Sequence, residues 1–218
     1  MKPTYIETLQ KTDLFSGIDK SGYKTLISCL SPHIKSFAKN EIILMSGEAV
    51  HHIGIFISGT ANAYLEDING SQTIMSRLKP LSVFGEILVS TRNHKSPVTI
   101  YATSEVIIAF IEYERLLTQC SDACTAHNIL IKNMLKVIGD KYFRLFDRIN
   151  ILREKSLRDK IWAYLHTLGG KDKKVTIPMS KTLLADYLLA NRSALSKELR
   201  KMADEGLITV SGREIKFP

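Results

Sequence analysis

The hydrophobic positions of this chain change period twice, from helical to alternating and back. In residues 4–30 apolar side chains recur three and four apart. This predicts a short helix over 4–10 and a second one capped by Asp19 and running to about Leu30, with Tyr23, Leu26, Ile27 and Leu30 on its buried side. Leu14-Phe15-Ser16-Gly17-Ile18 between them reads as a small apolar anchor. From about residue 31 to 111 the pattern becomes short β-prone runs separated by turn residues: 34–37, 42–45, 53–57, 61–65, 73–78, 98–102 and 106–111. Asp67-Ile68-Asn69-Gly70 is a hairpin signal of the kind that favours primed turns, and Gly47 and Gly59 mark other turns. Such spacing predicts a closed or double-sheet antiparallel roll.

Residues 112–117 predict a helical turn, and the helical period returns over about 123–153. Ile131, Met134, Ile138, Tyr142, Leu145, Ile149 and Leu152 make a seam at spacings of three and four on a helix of about 30 residues, about 45 Å long. Leu130, Leu135, Val137, Phe143 and Phe146 flank it, so the helix is expected to meet a roll on one side and a partner helix on the other. Ser156-Leu157-Arg158-Asp159 then opens a further helix in the manner of a capping box. Leu157, Ile161, Leu165 and Leu168 form its apolar face, Trp162 widens it, and Gly169-Gly170 ends it.

Two helices follow in close succession. Ser180 is placed to cap residues 181–189, Asn191 to cap 192–205, and Gly206 to end the second. On a helical wheel Leu195, Leu199 and Met202 share one face. Arg192, Ser193, Ser196, Lys197 and Arg200 fill a separate arc that holds donors and no carboxylate. A helix entering a DNA major groove needs that arc, because base edges and phosphates there supply mostly acceptors. Residues 207–210 and 215–217, joined by Ser211-Gly212-Arg213-Glu214, predict a β-hairpin wing, with 174–178 as an added strand.

Charge sharpens this reading. The 218 residues carry a formal charge of +8. Residues 153–218 hold 14 Lys/Arg against 8 Asp/Glu, and residues 1–152 hold 16 against 14, so +6 of the +8 falls in the last third, where a polyanion partner is expected. The opening residues show no basic-then-apolar signal segment, and no apolar run approaches membrane-spanning length. The three cysteines, Cys29, Cys120 and Cys124, are too few for a disulfide framework. A cytoplasmic protein without a membrane partner is expected.

The order of parts resembles the CRP/FNR family of bacterial transcription regulators over nearly the whole chain. The most specific pieces are Leu14-Phe15-Ser16-Gly17-Ile18, Phe84-Gly85-Glu86-Ile87, and Leu184-Ala185-Asp186 followed by the run from Asn191 to Leu199. The resemblance implies an α+β protein in three parts. Residues 1–122 would form an effector-sensing β-roll of jelly-roll, cyclic-nucleotide-binding-like type, 123–153 a long dimerisation helix, and 154–218 a winged helix-turn-helix. It further implies a homodimer on palindromic double-stranded DNA, a small-molecule effector in the roll, and RNA polymerase as a candidate partner. Ser180, Lys181, Arg192, Ser193, Ser196, Lys197 and Arg200 are the expected DNA-binding residues. Arg192 and Lys197 fall on base-contacting positions, and Ser193 replaces the Glu of the cAMP-binding members.

Gly85, Glu86, Lys95 and Ser96 are the corresponding candidates for the effector. Lys95 stands where the cAMP-binding members carry the Arg that pairs the cyclic phosphate, and an ammonium cannot make the bidentate fork. Cyclic nucleotide is therefore not the expected effector. One cysteine before position 120 does not support the iron–sulfur cluster of the oxygen-sensing members. Cys120, Cys124 and His127, spaced four and three apart, would share a helix face and are candidates for metal or redox sensing. The run from Cys120 to His127 also resembles a subgroup common in anaerobic Gram-positive bacteria. Buried inert cysteines are the plainer alternative, and His51, His52 and His94 read as loop histidines.

An enzyme of cupin type would need His and carboxylate ligands clustered on the strands, and no such set stands out; no nucleophile motif or phosphate-cradling glycine loop is present either. The remaining alternative is a small-molecule, redox or metal-sensing module that does not itself bind DNA. No cofactor is named by the sequence.

Overall fold

The computed structural model describes residues 2–118, 125–169 and 174–217. Its contacts divide the chain into two compact units, Met1–Asp140 and Lys141–Pro218. The first holds helices α1 (Pro3–Gln10) and α2 (Lys20–Leu30), strands β1 (His33–Phe37), β2 (Ile42–Leu44), β3 (His52–Ser58), β4 (Ala61–Glu66), β5 (Gln72–Leu78) and β6 (Val83–Phe84), then α3 (Glu86–Val89), β7 (Thr99–Ala102), β8 (Val106–Glu112) and α4 (Tyr113–Leu117). Helix α5 (Thr125–Arg153) begins in this unit and ends in the second.

The strands form two four-stranded antiparallel sheets, ordered β1-β8-β3-β6 and β2-β7-β4-β5. The α+β roll predicted from the alternating runs is therefore present. Strand β3 buries Ile53, Gly54, Ile55, Phe56 and Ile57 without alternation because α1 and α3 lie against it. Asp19 caps α2 by accepting from the Gly22 amide at 2.9 Å. The Leu14–Phe15 anchor is fully buried, and Asn133 of α5 donates to the carbonyls of Leu14 (3.1 Å) and Ser16 (2.8 Å).

Three local expectations are corrected. The hairpin joining β4 and β5 uses a five-residue loop with Glu66 paired to Gln72, and only Gly70 takes positive φ. A primed two-residue turn does not form because the Asp67 carboxylate accepts from the Asn69 and Ser71 amides, holding a wider loop. His52 opens a strand and is not a loop residue. On α5, Met134 belongs to the N-terminal core together with Ala126 and Leu130, and Ile138 packs against that core. The apolar residues left exposed are Leu135, Tyr142, Phe143, Leu145, Phe146 and Ile149. They include a three-four series through 142, 145 and 149, as the seam predicted, with Leu135 rather than Met134 seven residues before Tyr142.

The second unit contains the end of α5, α6 (Leu157–Gly169), β9 (Lys174–Thr176), α7 (Lys181–Tyr187), α8 (Arg192–Asp204), β10 (Thr209–Ser211) and β11 (Glu214–Lys216). Ser156 caps α6 by accepting from the Asp159 amide at 3.1 Å, as expected. The Asp159 carboxylate accepts from the Ser156 hydroxyl rather than from the Ser156 amide, so the reciprocal bond differs from a capping box. The buried face of α6 is Ile161, Tyr164 and Leu165, whereas Leu168, on the same side but in the last turn, is exposed. These residues join Ile151, Leu184, Ala185, Leu188, Leu195, Leu199, Met202 and Ile215 in one core. The wing is a three-stranded antiparallel sheet ordered β10-β11-β9. At its end Phe217 stacks on Trp162 (5.7 Å between ring centres) and on His166 (6.0 Å). Among the described residues no helix is long and apolar enough to cross a membrane.

Candidate nucleic-acid interface

Helix α8 separates its two faces as its sequence requires. Leu195, Leu199 and Met202 are at most 3% exposed, while Arg192, Ser193, Lys197 and Arg200 are exposed and Ser196 is half-buried. Glu198 lies off this arc, and Asp204, in the last turn, is the one acid of α8 that falls on it and is exposed. Glu198 accepts from Nε of Arg158 on α6 at 2.6 Å, and Glu205 at the end of α8 takes both terminal nitrogens of the same guanidinium at 2.6 and 3.1 Å. Over its first three turns the helix therefore presents cations and hydroxyls outward, with Glu198 and Glu205 paired to Arg158 behind. Hydrogen bonding to Arg158 holds the Glu205 carboxyl below the usual carboxylate range.

The entry to α8 differs in detail from expectation. Helix α7 ends at Tyr187, two residues early, and Leu189 turns the chain with φ of +52°. Ser180 caps α7 by accepting from the Leu183 amide at 3.3 Å. Asn191 occupies the N-cap of α8 but its side chain makes no capping hydrogen bond. Gly206 follows α8 with φ of +73°, as predicted for a helix stop.

Ser180, Lys181 and Arg192 line one open groove of about 280 Å³ between the two helices and the wing. Thr182 and Arg213 line it as well. Neither was singled out from the sequence, because Thr182 lies outside the basic arc and Arg213 is a lone cation in a turn. Only the fold brings the wing turn beside the start of α7.

In the roll, Gly85 and Glu86 join β6 to α3. Gly85 has φ of +88°, and a Cβ there would lie 2.6 Å from the His52 carbonyl oxygen. Its place is thus dictated by the backbone, whatever binds nearby. Glu86 is 1% exposed. Residues 94–96 pair with 47–50 through Val50 N to His94 O (2.8 Å), Ser96 N to Glu48 O (2.9 Å) and Gly47 N to Ser96 O (2.7 Å). Val50 is also 3.4 Å from the Cβ position of Gly85, so both candidate segments flank Val50. Ser96 is 3% exposed and its hydroxyl donates to the Val98 carbonyl at 2.7 Å, which ties it to its own loop; Lys95 is exposed.

Cys120 and Cys124 lie outside the described residues. His127, in the first turn of α5, is 1% exposed with Nε2 at 3.3 Å from the Arg115 carbonyl, a partner that can only accept. Among the described residues no three His, Cys, Asp or Glu side chains are grouped to hold a metal. At the mouth of β3 and β1 the His52 and His33 rings meet edge to face at 5.2 Å, and His33 stacks on Phe110 at 5.3 Å. Burial, with His33 and His51 nearby, lowers the His52 pKa against the opposing pull of Glu112.

Comparison with known proteins matches both halves. Residues 34–123 fit the cyclic nucleotide-binding domain and residues 159–218 the Crp-like helix-turn-helix domain. The probable transcriptional regulator flp of Lacticaseibacillus casei is 25% identical over 181 residues, covering 80% of this chain and 78% of that protein. A CRP-like cAMP-activated global transcriptional regulator of Mycobacterium tuberculosis is 21% identical over 218 residues, covering 96% and 93%. Among solved structures, a CooA mutant from Carboxydothermus hydrogenoformans shares the fold with a TM-score of 0.67 at 17% identity, over 96% of this chain and 93% of that one. With a roll and a helix-turn-helix each matched by its own domain description, in this order, the chain belongs to the CRP/FNR family of effector-responsive, DNA-binding transcriptional regulators and is not an enzyme.

Proposed function

We propose that the protein acts as a homodimer on a palindromic operator, with α8 in the major groove. The observation that carries this reading is the division of α8 into a buried Leu195-Leu199-Met202 face and an outward face of Arg192, Ser193, Ser196, Lys197 and Arg200. Arg192, at the start of the helix, takes O6 and N7 of one guanine, and Lys197 reads a second position. Ser180, Lys181, Thr182 and Arg213 hold phosphates along the groove they line, which positions the protein without specifying sequence. The dimer forms through the exposed apolar series of α5, and RNA polymerase is the further partner. Residues 1–122, 123–153 and 154–218 serve as sensing, dimerising and DNA-binding segments.

The effector enters the roll near Gly85, Glu86, Lys95 and Ser96 and is not a cyclic nucleotide. The cAMP response named for the Mycobacterium tuberculosis relative is not carried over, since Lys95 lacks the fork that grips a cyclic phosphate. Cys120, Cys124 and His127 form the second sensing element, a metal or redox one, placing the chain in the subgroup that shares this spacing. The burial of His127 at the start of α5 supports a role that touches that helix.

Selection of duplexes from random DNA tests the proposal. The protein should recover two half-sites about 10–11 base pairs apart, centre to centre. Arg192→Ala should cost about 1–3 kcal/mol and relax one base pair in each half-site. Lys181→Ala should weaken binding to every sequence and reduce the salt dependence by about one charge per subunit. Recovery of no palindrome, or an unchanged motif with Arg192→Ala, removes α8 from this role.

A further inference from the structure

The guanidinium of Arg148, near the end of α5, lies over the ring of Tyr187 in the last turn of α7, 4.8 Å from its centre. Arg148 is 7% exposed, so it cannot itself reach a phosphate. Tyr187 in turn meets Tyr164 of α6 at 5.4 Å, and among the described residues the buried Tyr164 hydroxyl has no hydrogen-bond partner, so the two rings meet by ring contact. One residue-turn further along α5, Ile151 enters the same core as Leu184, Ala185 and Leu188 of α7. The end of the long helix thus touches the first helix of the helix-turn-helix at a cation–aromatic stack and shares an apolar core with it.

A buried guanidinium is a poor choice if stability alone were at stake. Its desolvation cost offsets what its contacts return, and an apolar residue of like volume commonly serves as well or better. A cation over a ring does constrain where that ring sits, because the attraction falls away as the charge leaves the face. Tyr187 immediately precedes Leu188 and the strained Leu189 turn into α8. Its ring position therefore bears on the placement of both helices.

We propose that Arg148 is a positioning residue for DNA binding: through Tyr187 it sets α7, and with it the turn into α8, against the end of α5. The proposal rests on α8 being the DNA-reading helix. It gives α5 a second task beside pairing, since any displacement of its last turns is felt at Tyr187.

The test uses the full-length protein, its selected operator and a random duplex, with thermal melting alongside. Arg148→Met should leave the melting temperature unchanged or higher, weaken operator binding about tenfold, and narrow the gap between operator and random DNA. The salt slope should stay as in the parent protein, since no phosphate contact is lost. Tyr187→Leu should reproduce this, the double variant should add nothing further, and Tyr187→Phe should bind normally. Unchanged operator affinity in Arg148→Met overturns the proposal, as does a salt slope reduced by a phosphate contact or an affinity loss that tracks a lowered melting temperature. If Arg148→Met does not fold, Tyr187→Leu and Tyr187→Phe decide by the same outcomes. Failure of the parent protein to select an operator would instead fail the assignment of α8.

Discussion

Arg158 donates to both carboxylate oxygens of Glu205, at 2.6 and 3.1 Å, across 47 residues of sequence. The pair ties α6 to the far end of α8, the helix proposed to read DNA, and its remaining nitrogen at Glu198 doubles the hold. These hydrogen bonds raise the pKa of Arg158, with Glu205 the larger cause, and lower that of Glu205. An acid with a depressed folded-state pKa contributes stability above its unfolded value and loses it as pH falls through the folded one. The clamp should therefore act at neutral pH and fade below about pH 4. Arg158→Met should lower the melting temperature of the DNA-binding unit at neutral pH, and the difference from the parent protein should close on acidification.

The open face of α5 gives a prediction about assembly. Leu145 and Ile149 are about half exposed, so charges there do not disturb the core of one chain. Leu145→Glu with Ile149→Glu should give a folded monomer by sedimentation, whose operator affinity falls by about a hundredfold or more as the second half-site ceases to help. Ile138, packed on the N-terminal core, is the wrong place for this test.

Gly85 separates a backbone role from ligand contact. Its φ of +88° and the His52 carbonyl at 2.6 Å from any Cβ make alanine costly there. Gly85→Ala should destabilise the roll by about 2 kcal/mol or more in chemical denaturation without any ligand present.

Calorimetry with cAMP should show no binding tighter than about 100 μM, equivalent to about −5.5 kcal/mol. Lys95→Arg restores the missing fork at an exposed position and is the variant in which affinity should rise.

His52 should make the roll sensitive to mild acid. Its folded-state pKa is lowered by burial and by His33 and His51, with Glu112 opposing. Unfolding then takes up a proton, so the stability it leaves intact above the ordinary imidazole value of about 6.5 is lost as pH falls from there towards the lower folded value. Melting by circular dichroism at about pH 7.5 and 5.5 should show the decline, and His52→Gln should flatten it.

What could be read from the chain beforehand was whatever neighbours in sequence decide. Asp19, Ser156 and Ser180 were legible as caps because each bonds an amide three residues on. The polar arc of α8 was legible because a helix sorts its own side chains. Val83–Phe84 was missed, since two residues carry no period. Spacing alone puts Met134 on the outward seam, because it does not distinguish two adjacent apolar stripes, one for the chain's own core and one left open. Asn191 looked like a cap by residue type, yet its side chain makes no capping bond. Arg158 with Glu205, Arg148 with Tyr187, and Arg213 beside Lys181 depend on tertiary contact and leave no local trace.

The stack of Trp162 between α6 and Phe217 turns an accident of composition into an optical handle. Trp162 is the only tryptophan in the chain, and its indole lies on Phe217 and His166 within the DNA-binding unit. Emission excited selectively at the indole band therefore reports that unit and is silent about the roll. Fluorescence and circular dichroism followed through one denaturant series would separate the two unfolding steps in the intact protein. A quenching change on adding a duplex would register the wing and α6 from the inside, with no label attached.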